Sequence, residues 1–158
     1  MILLNVGLSE FEKNKIVEVC RKASEGDADA QYRLGERCSI GDGVKESDEV
    51  AVGWYKKAAH QGHLDAQFEL AKAYLEGDGV EEDGVSAAYW FLKAAHQGDI
   101  GAQWMVGMFY GTGNFLEKNT ELGVYWINEF MKQSSAIRRK GESKVVIIDE
   151  SFFQPYLT

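Results

Sequence analysis

The sequence predicts an all-α fold, a solenoid of helix-turn-helix repeats, and three observations carry that prediction. Three 36-residue blocks, 29–64, 65–100 and 101–136, align without a gap: Gln31, Gln67 and Gln103 coincide, as do Trp54, Trp90 and Trp126. A fixed period of this length marks a helical array in which each unit buries its apolar face against the next. Every block carries two stretches with apolar residues at helical spacing, joined by a glycine-bearing turn. The single proline of the 158 residues, Pro155, leaves almost everything before it free to be helical.

Taken in chain order, residues 1–28 read as an N-terminal segment with a capping helix. Residues 10–26 match only the second half of a block, Ala23 aligning with Ala59 and EGD with QGH and QGD. In repeat 1 (29–64) the first helix places Ala30, Leu34 and Cys38 on one face, a stripe repeated by Ala66, Leu70 and Tyr74 in repeat 2 (65–100) and by Ala102, Val106 and Tyr110 in repeat 3 (101–136). Gly35, Ala71 and Gly107 beside that stripe let a second helix come close, which offsets the roughly 1 kcal/mol that a mid-helix glycine costs. Gly41, Gly77 and Gly113 stop the first helices. Ser47, Asp83 and Asn119, three different residues at one aligned position, open the second ones as N-caps, each offering a side-chain oxygen to an unpaired backbone N–H. Ala51, Ala87 and Gly123 keep one face of the second helix small, and Trp54, Trp90 and Trp126 are expected to give the core its bulk. Gly62 and Gly98 close the first two second helices in the left-handed conformation. Repeat 3 is degenerate, with Phe130 and Met131 in place of the Ala-Ala pair, and residues 137–158 form an irregular or extended tail whose KVVIID is β-branched. The whole is one solenoid domain.

These residues also match a named pattern. The stretch AQFELAKAYLEGDGVEEDGVSAAYWFLKAAHQG resembles a SEL-1-like repeat of the tetratricopeptide-like superfamily; AQYRLGERCSIGDGVKESDEVAVGWYKKAAHQG resembles it as closely, and AQWMVGMFYGTGNFLEKNTELGVYWINEFM is a weaker copy. The resemblance implies a right-handed α/α superhelix used for protein–protein interaction, usually as an adaptor, with no catalytic residues to carry over. Gly101 stands where the other copies have Asp, and Phe115 replaces the second glycine of the turn, which leaves the third turn's conformation open.

Charge narrows the partner. The formal net charge is −8, with 22 acidic against 12 basic residues up to position 131 and 3 against 5 beyond it. An acidic body repels phosphate backbones, so nucleic acid is not an expected partner, and a basic or mixed-charge protein is. No segment approaches membrane-spanning length, and MILLNVGLSE lacks the positive flank of a signal peptide, so the expected location is the cytoplasm. With Gly26 turning the chain between antiparallel helices, Cys20 and Cys38 sit roughly 9 Å out of level at 1.5 Å per residue. A disulfide needs Cα atoms within about 7 Å. Two reduced thiols are expected, although some secreted members of the family use disulfides.

Chemistry is sparse. GDGV and its copies lack the Lys-Ser/Thr of a phosphate-binding loop. The acidic stretch Glu76, Asp78, Glu81, Glu82, Asp83 lacks the alternating ligand spacing of a calcium loop. His60 and His63 have no third ligand at a suitable spacing. No serine or cysteine is paired with a histidine in a recognisable context. No catalytic, metal or cofactor site is expected; the rival reading is a weak hydrolase.

One feature remains for a partner. Tyr32 lies about 160° from Leu34 on the helical wheel, away from the core stripe, and its aligned positions are Phe68 and Trp104. Glu36, Lys72 and Met108 follow one turn later. In a tetratricopeptide-like superhelix this face lines the concave groove, so Tyr32, Glu36, Phe68, Lys72, Trp104 and Met108 are the candidate partner-binding residues. The competing reading is that each aromatic packs on its neighbour and stiffens the stack; a third places the chain's own SFFQPYL in the groove. The function expected is a non-enzymatic module binding a partner protein or peptide. An immunity or antitoxin protein against a bacterial toxin has these traits, and so does a general signalling or assembly adaptor.

Overall fold

The computed structural model describes residues 7–140, with side chains described through residue 136. Seven helices follow one another: α1 (Glu10–Ser24), α2 (Ala28–Ile40), α3 (Asp48–His60), α4 (Leu64–Glu76), α5 (Gly84–His96), α6 (Ile100–Thr112) and α7 (Thr120–Lys140), with no β-strand among the described residues. Helices α2, α4 and α6 start 36 residues apart, and so do α3, α5 and α7. The chain divides into two compact units, Met1–Trp90 and Phe91–Thr158, the boundary falling inside α5. In the first, α1 packs on α2, α2 on α3 and α3 on α4; in the second, α6 packs on α7.

The helix ends follow from local chemistry. Ser47 caps α3 by accepting from the Val50 N–H, Asp83 accepts from the N–H groups of Val85 and Ser86, and Asn119 from that of Leu122. These are the three caps expected from the alignment. A capping box at Ser9 and Glu12 starts α1. Gly41, Gly77 and Gly113 end α2, α4 and α6 in the left-handed conformation, at φ 69°, 77° and 83°. The third turn keeps its shape despite lacking a second glycine: Phe115 itself adopts φ 62°, where the aligned Gly43 and Gly79 have 74° and 68°.

The repeated glutamine has a structural cause that the alignment alone does not reveal. Gln31 and Gln67 are buried at 5% and 4% exposure, and each amide donates 3.1 Å to the carbonyl of the alanine eight residues earlier, Ala23 and Ala59. Those carbonyls lie in the last turn of α1 and α3, where each also accepts a closing backbone N–H, from Gly26 at 3.2 Å and Gly62 at 3.0 Å, and the glutamine takes the second acceptor site. The other end of the Gln31 amide accepts from Gln61, and Gln103 accepts likewise from Gln133. The motif glutamine thus stitches the first helix of a repeat to the helix before it and to the second helix of its own repeat.

The tryptophans divide. Trp90 and Trp126 are buried, and each takes the edge of a histidine, His60 and His96, with ring centroids 5.0 and 4.9 Å apart. Trp54 is only half-buried, with the Lys57 ammonium 3.9 Å from its ring centre. The physical reason is that Ser24 occupies the position equivalent to those histidines. In the third repeat, Phe130 is 9% and Met131 37% exposed, whereas Ala94 and Ala95 are 0% and 2%. Phe130 joins Ile127 in a cluster flanked by Ile100 and Trp104. Helix α7 runs on to Lys140, and the β-branched stretch and SFFQPYL lie outside the described residues. Cys20 and Cys38 are free thiols, both pushed up in pKa by burial.

Candidate partner-binding surface

In the first unit the candidate residues belong to α2 and α4. Tyr32 is half-buried on α2; its hydroxyl donates to Glu36 Oε1 at 2.8 Å. Its ring stacks on His63 at 4.7 Å and 23°, and leans on Tyr55 of α3 at 5.9 Å. His63 is the N-cap of α4, the position held by Asp27 in α2 and Asp99 in α6. Its Nδ1 accepts from the Ala66 N–H at 3.3 Å, so in the neutral ring the proton sits on Nε2, which lies 3.3 Å from Asp29 Oδ1. One side chain therefore caps α4, contacts Asp29 at the start of α2 and floors an aromatic.

Carboxylates surround this aromatic group. Burial pushes the Tyr32 phenol well above its usual pKa, and the hydrogen bond and charge of Glu36 add to this, as do the charges of Asp65 and Glu69. Tyr55 is raised in the same sense, by burial first and then by Glu69 and Glu36. Phe68 is half-buried on α4; Lys72, one turn on, holds Glu69 at 3.1 Å. Beyond Lys72 the surface dips into a cleft of about 180 Å³, whose wall includes Ser39, Asp48, Tyr55, Glu69, Glu76 and Asp78.

In the second unit Trp104 is half-buried against the Ile127–Phe130 cluster, and Met108 is half-buried one turn later. The Trp104 indole N–H is buried with no hydrogen-bond partner among the described residues. So Tyr32, Glu36 and the Phe68–Lys72 helix share one unit, and Trp104 with Met108 belong to the other. Tyr32 packs on His63, the residue just before α4.

Sequence reasoning missed Tyr55, His63, Asp65 and Glu69. His63 was within reach of the alignment, because Asp27 and Asp99 hold the same cap position. Tyr55 aligns with Phe91 and Ile127 and carries only a core signal. Of the acidic loop, Asp83 is committed to its cap, its carboxyl held below the usual range by the Ser86 hydroxyl. Among the described residues no group of three or more His, Cys, Asp or Glu side chains is placed to hold a metal ion. No described helix is long and apolar enough to cross a membrane.

The comparisons bear on the repeats and the fold. The Sel1 repeat family model matches residues 28–63, 64–99 and 100–129. No curated protein matches the chain. Among solved structures, the Sel1 repeat protein from Oxalobacter formigenes is 32% identical with a TM-score of 0.71, over 76% of this chain and 90% of its own. The protein c5321, described as a protective antigen present in uropathogenic Escherichia coli strains and displaying an SLR fold, is 32% identical with a TM-score of 0.70 over 75% of this chain. The chain spans 26% of the length of c5321. With three matched repeats and helices in register with them, the chain belongs to the Sel1 repeat family.

Proposed function

We propose that this chain is a non-catalytic binding module that holds a partner protein or peptide on the exposed side of its first helices. The contact residues are Tyr32, Glu36, Phe68 and Lys72 in the first unit and Trp104 and Met108 in the second. The observation that carries the reading is the environment of Tyr32: an aromatic only half-buried, fixed by His63 and Tyr55, with carboxylates about it. A rigid, part-exposed aromatic loses little entropy on contact and is the usual anchor of a protein interface. The surrounding negative charge speeds encounter with a basic or mixed-charge partner. Membership of a repeat family commonly used for protein–protein interaction supports the same reading.

Neutralising a cognate toxin and general adaptor work are two roles such a module serves, and the identity of the captured protein separates them. The test is a pull-down from host lysate with wild type beside Tyr32→Ala/Phe68→Ala/Trp104→Ala, circular dichroism confirming retained helices. A protein captured by wild type and lost from the folded variant is the expected result. Equal capture by both overturns the assignment of the surface. A hydrolase would instead show activity that survives the triple variant and is lost with a single polar residue.

A further inference from the structure

We infer that the face shared by α2, α3 and α4 recognises an arginine of the partner, seated in the cleft beyond Lys72. This rests on the binding-module reading above and names the partner's chemistry. Six carboxylates, of Glu36, Asp48, Asp65, Glu69, Glu76 and Asp78, lie about Tyr32, Tyr55 and the cleft, against the single ammonium of Lys72 in its wall. That ammonium is already committed to Glu69 at 3.1 Å. Asp48, Glu76 and Asp78 take part in no ion pair or side-chain hydrogen bond among the described residues.

The cleft is more than a charged rim. Tyr55, 6% exposed, forms part of its wall, with the Ser39 hydroxyl close to its own. Its volume of about 180 Å³ suits one long side chain. Its carboxylates come from three elements: Asp48 opens α3, Glu69 and Glu76 lie on α4, and Asp78 sits in the turn that follows. A planar guanidinium presents five donors in a fork, stacks on aromatic rings and gives up its hydration readily. An ammonium is a strongly hydrated point charge and meets such a divided set of acceptors less well. Arginine is therefore the occupant the cleft selects.

The test uses capped tetra-arginine, tetra-lysine and tetra-citrulline peptides titrated into the isotopically labelled chain, followed by backbone amide shifts. Glu76→Gln/Asp78→Asn is compared with Glu117→Gln/Glu121→Gln, which removes the same charge from the second unit. Expected are shifts centred on Asp48, Glu69 and Glu76 with the arginine peptide, at least tenfold weaker binding in the cleft variant, and less than a twofold change in the control. The lysine peptide is expected to bind at least fivefold more weakly than the arginine one. Equal weakening by both variants, equal affinity for lysine and arginine, or no binding of the arginine peptide each overturns the inference. In the lysate pull-down, capture lost by the aromatic variant but kept by Glu76→Gln/Asp78→Asn refutes the arginine cleft alone. Capture kept by both variants refutes the surface assignment itself.

Discussion

Gly35→Ala is expected to destabilise the chain, while Gly53→Ala stabilises it, although both replace a glycine inside a helix with the best helix former. Alanine gains about 1 kcal/mol in helix propensity at either position. At Gly53 a Cβ meets no heavy atom within 4 Å, so that gain is realised. At Gly35 the Cβ would stand 2.6 and 2.7 Å from two ring carbons of Tyr55 and 3.3 Å from the Ala51 carbonyl oxygen. Neither neighbour can yield freely: the ring is buried, and the carbonyl belongs to the backbone of α3. Forcing an extra methyl into such a contact costs about 1–3 kcal/mol, which outweighs the propensity gain and leaves a net loss of about 1 kcal/mol. The two variants should then differ by about 2 kcal/mol, read as opposite shifts in the urea midpoint at constant slope. The alignment predicts otherwise, because Ala71 occupies the same position in repeat 2. A Gly35→Ala protein as stable as Gly53→Ala would show that the ring moves aside without cost, and the close-approach argument for α2 against α3 would fail.

Two further outcomes follow from the same reasoning. Phe115 holds a left-handed backbone that costs a non-glycine residue about 1–2 kcal/mol. Its ring is half exposed and meets Phe109 edge-on at 5.3 Å. Phe115→Gly is expected to raise the thermal midpoint, and a fall would mean that the ring contact outweighs the strain. Tyr32 is raised in pKa by burial and by Glu36, so the unfolded chain binds fewer protons than the folded one once the pH exceeds the unfolded phenol value of about 10. The stability due to this group is thus whole below that pH and is lost as the pH climbs toward the folded value. Tyr32→Phe should flatten the alkaline loss of stability in denaturant titrations above pH 10, leaving the share that Tyr55 contributes; an unchanged slope would refute the raised phenol pKa that burial and Glu36 give Tyr32.

The architecture was legible because its determinants are local and periodic. Ser47, Asp83 and Asn119 cap helices with bonds that span two or three residues, and Gly41, Gly77 and Gly113 end them by backbone conformation alone, so both kinds of signal survive without knowledge of the fold. The candidate surface was legible only as far as a helical wheel reaches. The wheel sets Tyr32 away from Leu34, but what half-buries that ring is His63 at the cap of α4 and Tyr55 on α3, contacts that exist only after the turn has closed. The carboxylates illustrate the same limit. Asp78 and Asp83 look alike in the acidic stretch after α4, yet Asp83 is occupied with the N–H groups and hydroxyl at the head of α5 while Asp78 remains in the cleft wall. Composition counts both equally as negative charge; only the fold separates the carboxylate that builds the scaffold from the one left to meet a partner.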